Sequence, residues 1–146
     1  MLYRYVDGLP EILLAHPGGP FFAKKDLGAW SIPKGEFDET EEPLEAAKRE
    51  FFEETGVVVE GEFITLTPIV QKGGKKVFAW AVEQDLDPAA IKSNTFWLEF
   101  PPKSGKMIEI PEIDRAEWFP VKTALEKINS AQARLITQLM LKLKKR

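Results

Sequence analysis

The sequence predicts a single mixed α/β domain built in layers, and three observations carry that expectation. A chain of 146 residues has the length of one ordinary domain with one real core. Hydrophobic residues make up 44% and charged residues 29%, a globular balance, and ten Phe and four Trp give the core bulk. Strand-like and helix-like segments alternate along the chain, with no repeat, low-complexity stretch or linker to divide it, so 1–146 is expected to form one domain.

Taken in order, Leu2–Val6 and 11–15 read as strands joined by a turn containing Asp7-Gly8 and Pro10. Residues 16–20 (H-P-G-G-P) read as a loop, and 21–32 as irregular chain anchored by Trp30 and Ile32. The clearest helix is 42–55, with Pro43 suited to its first turn and Gly56 ready to end it. Segments 62–67, 76–82 and 95–100 have strand character, Gly73-Gly74 and Ser104-Gly105 mark turns, and 116–119 reads as a short final strand. Helices are expected near 121–128 and 131–144. In the second, Leu135, Leu139 and Leu143 recur every four residues beside Ile136 and Met140, a core-facing stripe.

Composition narrows the chemistry. With no Cys and one His, a thiolate or histidine-rich metal site is excluded, so a metal here is held by oxygen, as suits Mg²⁺ or Mn²⁺. The absence of Cys fits a reducing compartment, and a cytoplasmic location is expected. No apolar run approaches the roughly 20 residues of a membrane span, and no signal segment is expected at the start. A net charge of -3 predicts no strong attraction to nucleic acid. The terminal cations Lys142, Lys144, Lys145 and Arg146 suit a solvated helix end.

Acids crowd residues 36–54. At about 100° per residue, Glu53 and Glu54 fall roughly 60° and 40° either side of Glu50, so three carboxylates share one helix face. Leu44 and Phe51 lie to one side and suit packing on a sheet, while Ala46 and Ala47 leave space one turn earlier. The ordinary alternative is a solvated acidic face. Like charges at i,i+3 or i,i+4 destabilise a helix by roughly 0.2–0.5 kcal/mol each. Acids near its C-terminus cost about 0.3–1 kcal/mol more. Arg49 offsets part of this; cations between the carboxylates would account for the rest.

Written G-x5-E-x7-R-E-U-x-E-E-x-G-U, with U apolar, the segment matches at Gly35, Glu41, Arg49, Glu50, Phe51, Glu53, Glu54, Gly56 and Val57, across 23 residues. This resembles the signature of the Nudix hydrolases. The resemblance implies an α/β/α sandwich with a mixed sheet, the signature forming a loop-helix-loop. It implies that Glu50, Glu53 and Glu54 bind divalent cations with the Gly35 carbonyl, and that Glu41 and Arg49 form an orienting ion pair. It further implies a small-molecule nucleotide substrate, whose phosphoanhydride is hydrolysed by a water of lowered pKa while the cations neutralise phosphate.

The general base stays open between Glu50 and Glu112. Pro111-Glu112-Ile113-Asp114 and the later Trp118 resemble a stretch of bacterial RNA pyrophosphohydrolases in which the Glu is a late metal ligand; an ordinary loop acid is the alternative, and Glu109 is a weaker substitute. Lys34, in a Pro-Lys-Gly context similar to dinucleoside polyphosphate hydrolases, is a candidate for touching phosphate. Trp30 and Phe22 are candidates for stacking on a base, though a core or loop-anchoring role suits both. His16 reads as a loop histidine, and Lys72, Lys75, Lys76, Lys103 and Lys106 as solubilising.

Two departures from the family pattern stand out: Thr40 precedes Glu41 where relatives often carry Gly, and the chain starts almost inside its first strand. The expected substrate is a nucleoside triphosphate or a dinucleoside polyphosphate. Nucleotide sugars, ADP-ribose and 5′-triphosphorylated RNA ends are the alternatives, as is a non-catalytic nucleotide-sensing module. The resemblance implies that an isoprenoid diphosphate isomerase of this fold needs an active-site Cys, and this sequence has none.

Overall fold

The computed structural model describes residues 1–33, 40–71, 73–74 and 76–145. Lys34, Gly35, Lys72 and Lys75 therefore lie outside the described residues, as do 36–39 and Arg146. Nine strands and three helices are assigned among the described residues. They run β1 (Leu2–Val6), β2 (Leu9–Pro17), α1 (Pro43–Thr55), β3 (Ile64–Thr65), β4 (Ile69–Val70) and β5 (Lys76–Val77), then β6 (Trp80–Glu83), β7 (Thr95–Glu99), β8 (Met107–Pro111), β9 (Ile113–Pro120), α2 (Val121–Lys127) and α3 (Ala133–Lys144).

Alternation of side chains along the strands builds the layers. The main sheet has the order β3-β6-β1-β2-β9, with β1 and β6 parallel and the other pairs antiparallel. Tyr3, Ile12, Leu14, Ala81 and Phe119 form one core with Ala124, Leu135, Ile136 and Leu139 of α2 and α3. Their chain neighbours Leu2, Leu13 and Val82 form the second core, which takes Phe51 of α1. One sheet thus separates α1 from α2 and α3, the sandwich expected from the signature.

Helix α1 begins and ends where its sequence directs. The Glu42 carboxylate accepts from the Glu45 amide at 3.0 Å, and Gly56 closes the helix at φ 75°, a left-handed conformation that favours glycine. In α3, Leu135, Ile136 and Leu139 are buried and Met140 and Leu143 pack beside them, matching the expected stripe.

Several expected bounds shift. The 62–67 strand contracts to β3, since beyond it pairing continues only through the Leu66 amide and the Ala79 carbonyl. The 76–82 strand divides because Lys76 and Val77 pair with β4, whereas Trp80–Glu83 serves β3 and β1. Strand β9 is longer than 116–119 because it pairs with β2 along Ile113–Pro120. His16 and Pro17, expected in a loop, complete β2. Strand β8 pairs with β7 in a separate hairpin. Among the described residues, no helix is long and apolar enough to cross a membrane.

Leu139→Ala is expected to lower unfolding free energy by about 2–5 kcal/mol, because the fully buried side chain leaves a cavity. Leu141→Ala, at an exposed position of the same helix, is expected to cost about 0.5 kcal/mol or less. Urea unfolding midpoints check the contrast, and equal losses would contradict the assigned face.

Candidate functional site

Packing of α1 aims its acids. Phe51 is buried on the sheet side with Leu2, Leu13 and Val82, and Ala46, one turn before Glu50 where open space was expected, is fully buried. On the face this leaves, Glu54 is buried, the Glu50 side chain is 18% exposed and that of Glu53 is 46% exposed. Burial, opposed by Arg49 and aided by the Glu53 charge, holds the Glu50 carboxyl above its ordinary pKa.

Arg49 organises the neighbouring charges. Its Nε and Nη2 donate to Glu41 at 2.9 and 2.8 Å, a two-point grip. Nη1 donates to Glu53 at 3.0 Å and lies 3.1 Å from a Glu50 oxygen. These contacts, those with Glu41 first, raise the guanidinium pKa and keep it charged. The expected Arg49–Glu41 pair is therefore formed, half-exposed, and it extends to two of the three acids of the shared face.

Two adjoining clefts flank Ile32 and Pro33. One holds Glu54, Glu112, Ser31 and Pro17; the other holds Glu50 and Lys48 against Phe63, Phe78 and Trp80. The divider is fixed by its backbone. Ala15 and Ser31 exchange hydrogen bonds at 2.8 and 2.9 Å, Trp30 bonds to the end of α2, and the Ile32 amide donates to buried Gln132 at 3.1 Å. Glu112 is set just beyond β8 in the same way. Its amide donates to the Asn94 carbonyl at 2.9 Å, and its carbonyl accepts from Gly18 at 3.1 Å. Glycine is needed at 18, because a Cβ would stand 2.0 Å from the Pro111 carbonyl oxygen.

The structure thus brings Glu54 to Glu112, 58 positions later in the chain, and keeps Glu50 in the next cleft. Glu109 instead sits on the β7–β8 hairpin, bonded to Thr95 at 3.0 Å. Among the described residues no three acids close into a metal cage, and Arg49 holds two of the candidates. Gly35 and Lys34 fall outside the described residues.

Trp30 needs correction as a base-stacking candidate. It is 2% exposed, edge-to-face with His16 and Phe119, and donates to Asp26 at 2.8 Å, so no face is open to a ligand. His16 is likewise no loop residue: fully buried, it bonds Asp114 at 2.9 Å and the Lys25 carbonyl at 2.7 Å. Phe22 is partly exposed beneath the Lys25 ammonium. Sequence reasoning passed over Lys48, Phe63 and Phe78 and read Lys76 as solubilising, yet all four line the apolar cleft. The period-two spacing of Lys76, Phe78 and Trp80 was the signal available.

The NUDIX domain family pattern matches residues 7–139. An octanoyltransferase from Myxococcus xanthus is 33% identical over 101 residues, 69% of this chain and 25% of that protein. An 8-oxo-(d)GTP phosphatase from Mycolicibacterium smegmatis is 28% identical over 115 residues, 77% of this chain and 30% of that protein. An RNA pyrophosphohydrolase from Cereibacter sphaeroides is 42% identical over 62 residues, 39% and 38% of the two chains. The chain thus spans about a quarter to two-fifths of the length of these relatives. Among solved structures, a C. elegans Ap4A hydrolase in a binary complex superposes with a TM-score of 0.67 at 18% identity, covering 99% of this chain and 96% of the other. With the family pattern matched over most of its length and the α/β/α sandwich formed around the signature helix, the chain belongs to the Nudix family.

Proposed function

We propose that this chain is a divalent-cation-dependent hydrolase of a phosphoanhydride in a nucleotide, with a nucleoside triphosphate or dinucleoside polyphosphate as substrate. The carrying observation is the convergence of Glu54 and Glu112 on one cleft, beside the apolar cleft that holds Glu50. The donor set is oxygen only, as Mg²⁺ and Mn²⁺ prefer. Glu50, Glu53 and Glu54, with Glu112 across the cleft, would hold the cation, and the Gly35 carbonyl is proposed as a further ligand. A cation held there supplies neutralisation of the diphosphate and acidification of a water.

The chain's own residues do the rest. The helix keeps Glu50 and Glu53 within one turn, and Arg49 gathers both carboxylates while it is anchored on Glu41. Glu112 or the partly desolvated Glu50 accepts the proton of the attacking water. Phe63, Phe78 and Trp80 offer apolar surface to a base. Lys34 adjoins Pro33 in sequence and is proposed to meet a phosphate. The curated similarities include both an 8-oxo-(d)GTP phosphatase and RNA pyrophosphohydrolases, and the net charge of -3 favours free nucleotides over RNA ends.

A hydrolysis screen with Mg²⁺ and Mn²⁺ tests this reading, with products identified from nucleoside triphosphates, dinucleoside polyphosphates, nucleotide sugars and ADP-ribose. Turnover of one of the first two classes, abolished by a chelator, is expected. No turnover by folded, metal-binding protein would favour a sensing module.

Glu53→Gln is expected to remove most hydrolysis with the fold intact by circular dichroism, and near-normal turnover in Mg²⁺ would count against the site. Glu112→Gln is expected to slow turnover more than Glu109→Gln, and equal, negligible effects would return the base to α1. Without metal, Glu50→Gln is expected to raise Tm at pH 7, since an acidic pKa raised by burial penalises the ionised form. Such an acid binds more protons folded than unfolded, so the gain vanishes below the ordinary carboxylate range and grows as pH rises through the elevated folded pKa. Thermal melts across pH check this, and a gain that persists in acid would refute the cause.

A further inference from the structure

Lys48 and Lys76 come to the apolar cleft from different elements. Lys48 stands on α1 two residues before Glu50, and Lys76 opens β5 after the Gly73-Gly74 turn. Each ammonium is parked over a phenylalanine of that cleft: Lys48 Nζ is 4.9 Å from the Phe63 ring centre and Lys76 Nζ is 5.4 Å from that of Phe78. Lys48 also has Glu45 at 3.5 Å, on the exposed side of the helix. An ammonium over an exposed ring is weakly held, and a phosphate oxygen competes for it effectively.

We propose that Lys48 and Lys76 form a two-cation clamp for phosphates beyond the diphosphate being cleaved, and so select polyphosphate chains over nucleotide sugars and ADP-ribose. This rests on the hydrolase reading above. The acids of α1 and their cations engage one diphosphate, and they repel any further phosphate that lacks a cation of its own. ADP-ribose and nucleotide sugars carry two phosphates, both used at the scissile bond. A triphosphate or longer chain has at least one more, and two ammonium groups line the same cleft as Glu50 to receive it. Binding has a second effect in the same cleft. When a phosphate draws each ammonium off its ring, the faces of Phe63 and Phe78 are freed for the base. Phosphate capture and base stacking are then one exchange.

Equilibrium binding of the uncleavable α,β-methylene analogues of ATP, GTP and ADP-ribose, with Mg²⁺ present, tests the clamp without requiring turnover. Lys48→Gln with Lys76→Gln is expected to weaken the tighter triphosphate analogue by about 10-fold or more and the ADP-ribose analogue by less than about 2-fold. Lys48→Arg with Lys76→Arg is expected to restore most triphosphate binding, and Lys142→Gln on α3, away from the cleft, is expected to change neither. Equal weakening of both ligand classes, no weakening of either, or a wild type that binds no triphosphate analogue would overturn the clamp. Normal, lysine-dependent binding in a protein that hydrolyses no native nucleotide would instead overturn the hydrolase reading and leave the clamp standing.

Discussion

The guanidinium of Arg49 faces three carboxylates at once, and the arrangement of the site follows from how it divides its donors. Two go to Glu41, which precedes the helix, and the third is shared between Glu53 and Glu50. Without that cation the acids of α1 would repel one another on a single face, two of them partly or wholly withdrawn from water. The grip is half-exposed, so its worth to global stability is modest. Its value is positional. It ties the entry of α1 to its third turn and keeps Glu53 close to the surface that Glu50 and Glu54 occupy.

That helix is useful only because the sheet presents it correctly. Alternation along β1, β2 and β6 sends one set of side chains to α2 and α3 and the next to Phe51. A one-residue slip in any of these strands would exchange the two cores and turn α1 away from the clefts. The segment through Trp30 and Ile32 is pinned to β2, to the end of α2 and to Gln132, which fixes the divider between the two clefts. Glu112 arrives from far along the chain through the close approach of Gly18 to Pro111. Local helix geometry and distant backbone pairing together make the site.

Much of this was legible in the residues, and what was not has physical reasons. The helix was marked by Pro43, its apolar face and Gly56, all local signals. The Arg49–Glu41 pair followed from the signature, and the stripe on α3 from its spacing. Strand bounds were poorer because β3 and β5 take their limits from partners far along the chain. Trp30 takes the core role the sequence also offered, and its stacking role stayed open because nothing nearby in sequence announces His16 and Phe119 as its neighbours. Lys76 looked like a solubilising turn residue for the same reason, its place over Phe78 in the apolar cleft being a product of tertiary folding. Glu112 was picked out by resemblance, while its meeting with Glu54 belongs to the pairing of β2 with β9.

The central claim is that these acids are a cation site that Arg49 keeps assembled. Anomalous scattering from a crystal grown with Mn²⁺ and an uncleavable nucleotide tests it most directly. Expected is a Mn²⁺ peak within direct coordination distance of carboxylate oxygens of Glu50, Glu53 or Glu54, with Glu112 facing the same peak and Arg49 still gripping Glu41. Mn²⁺ located elsewhere, with Arg49 holding Glu50 and Glu53 as before, would contradict it.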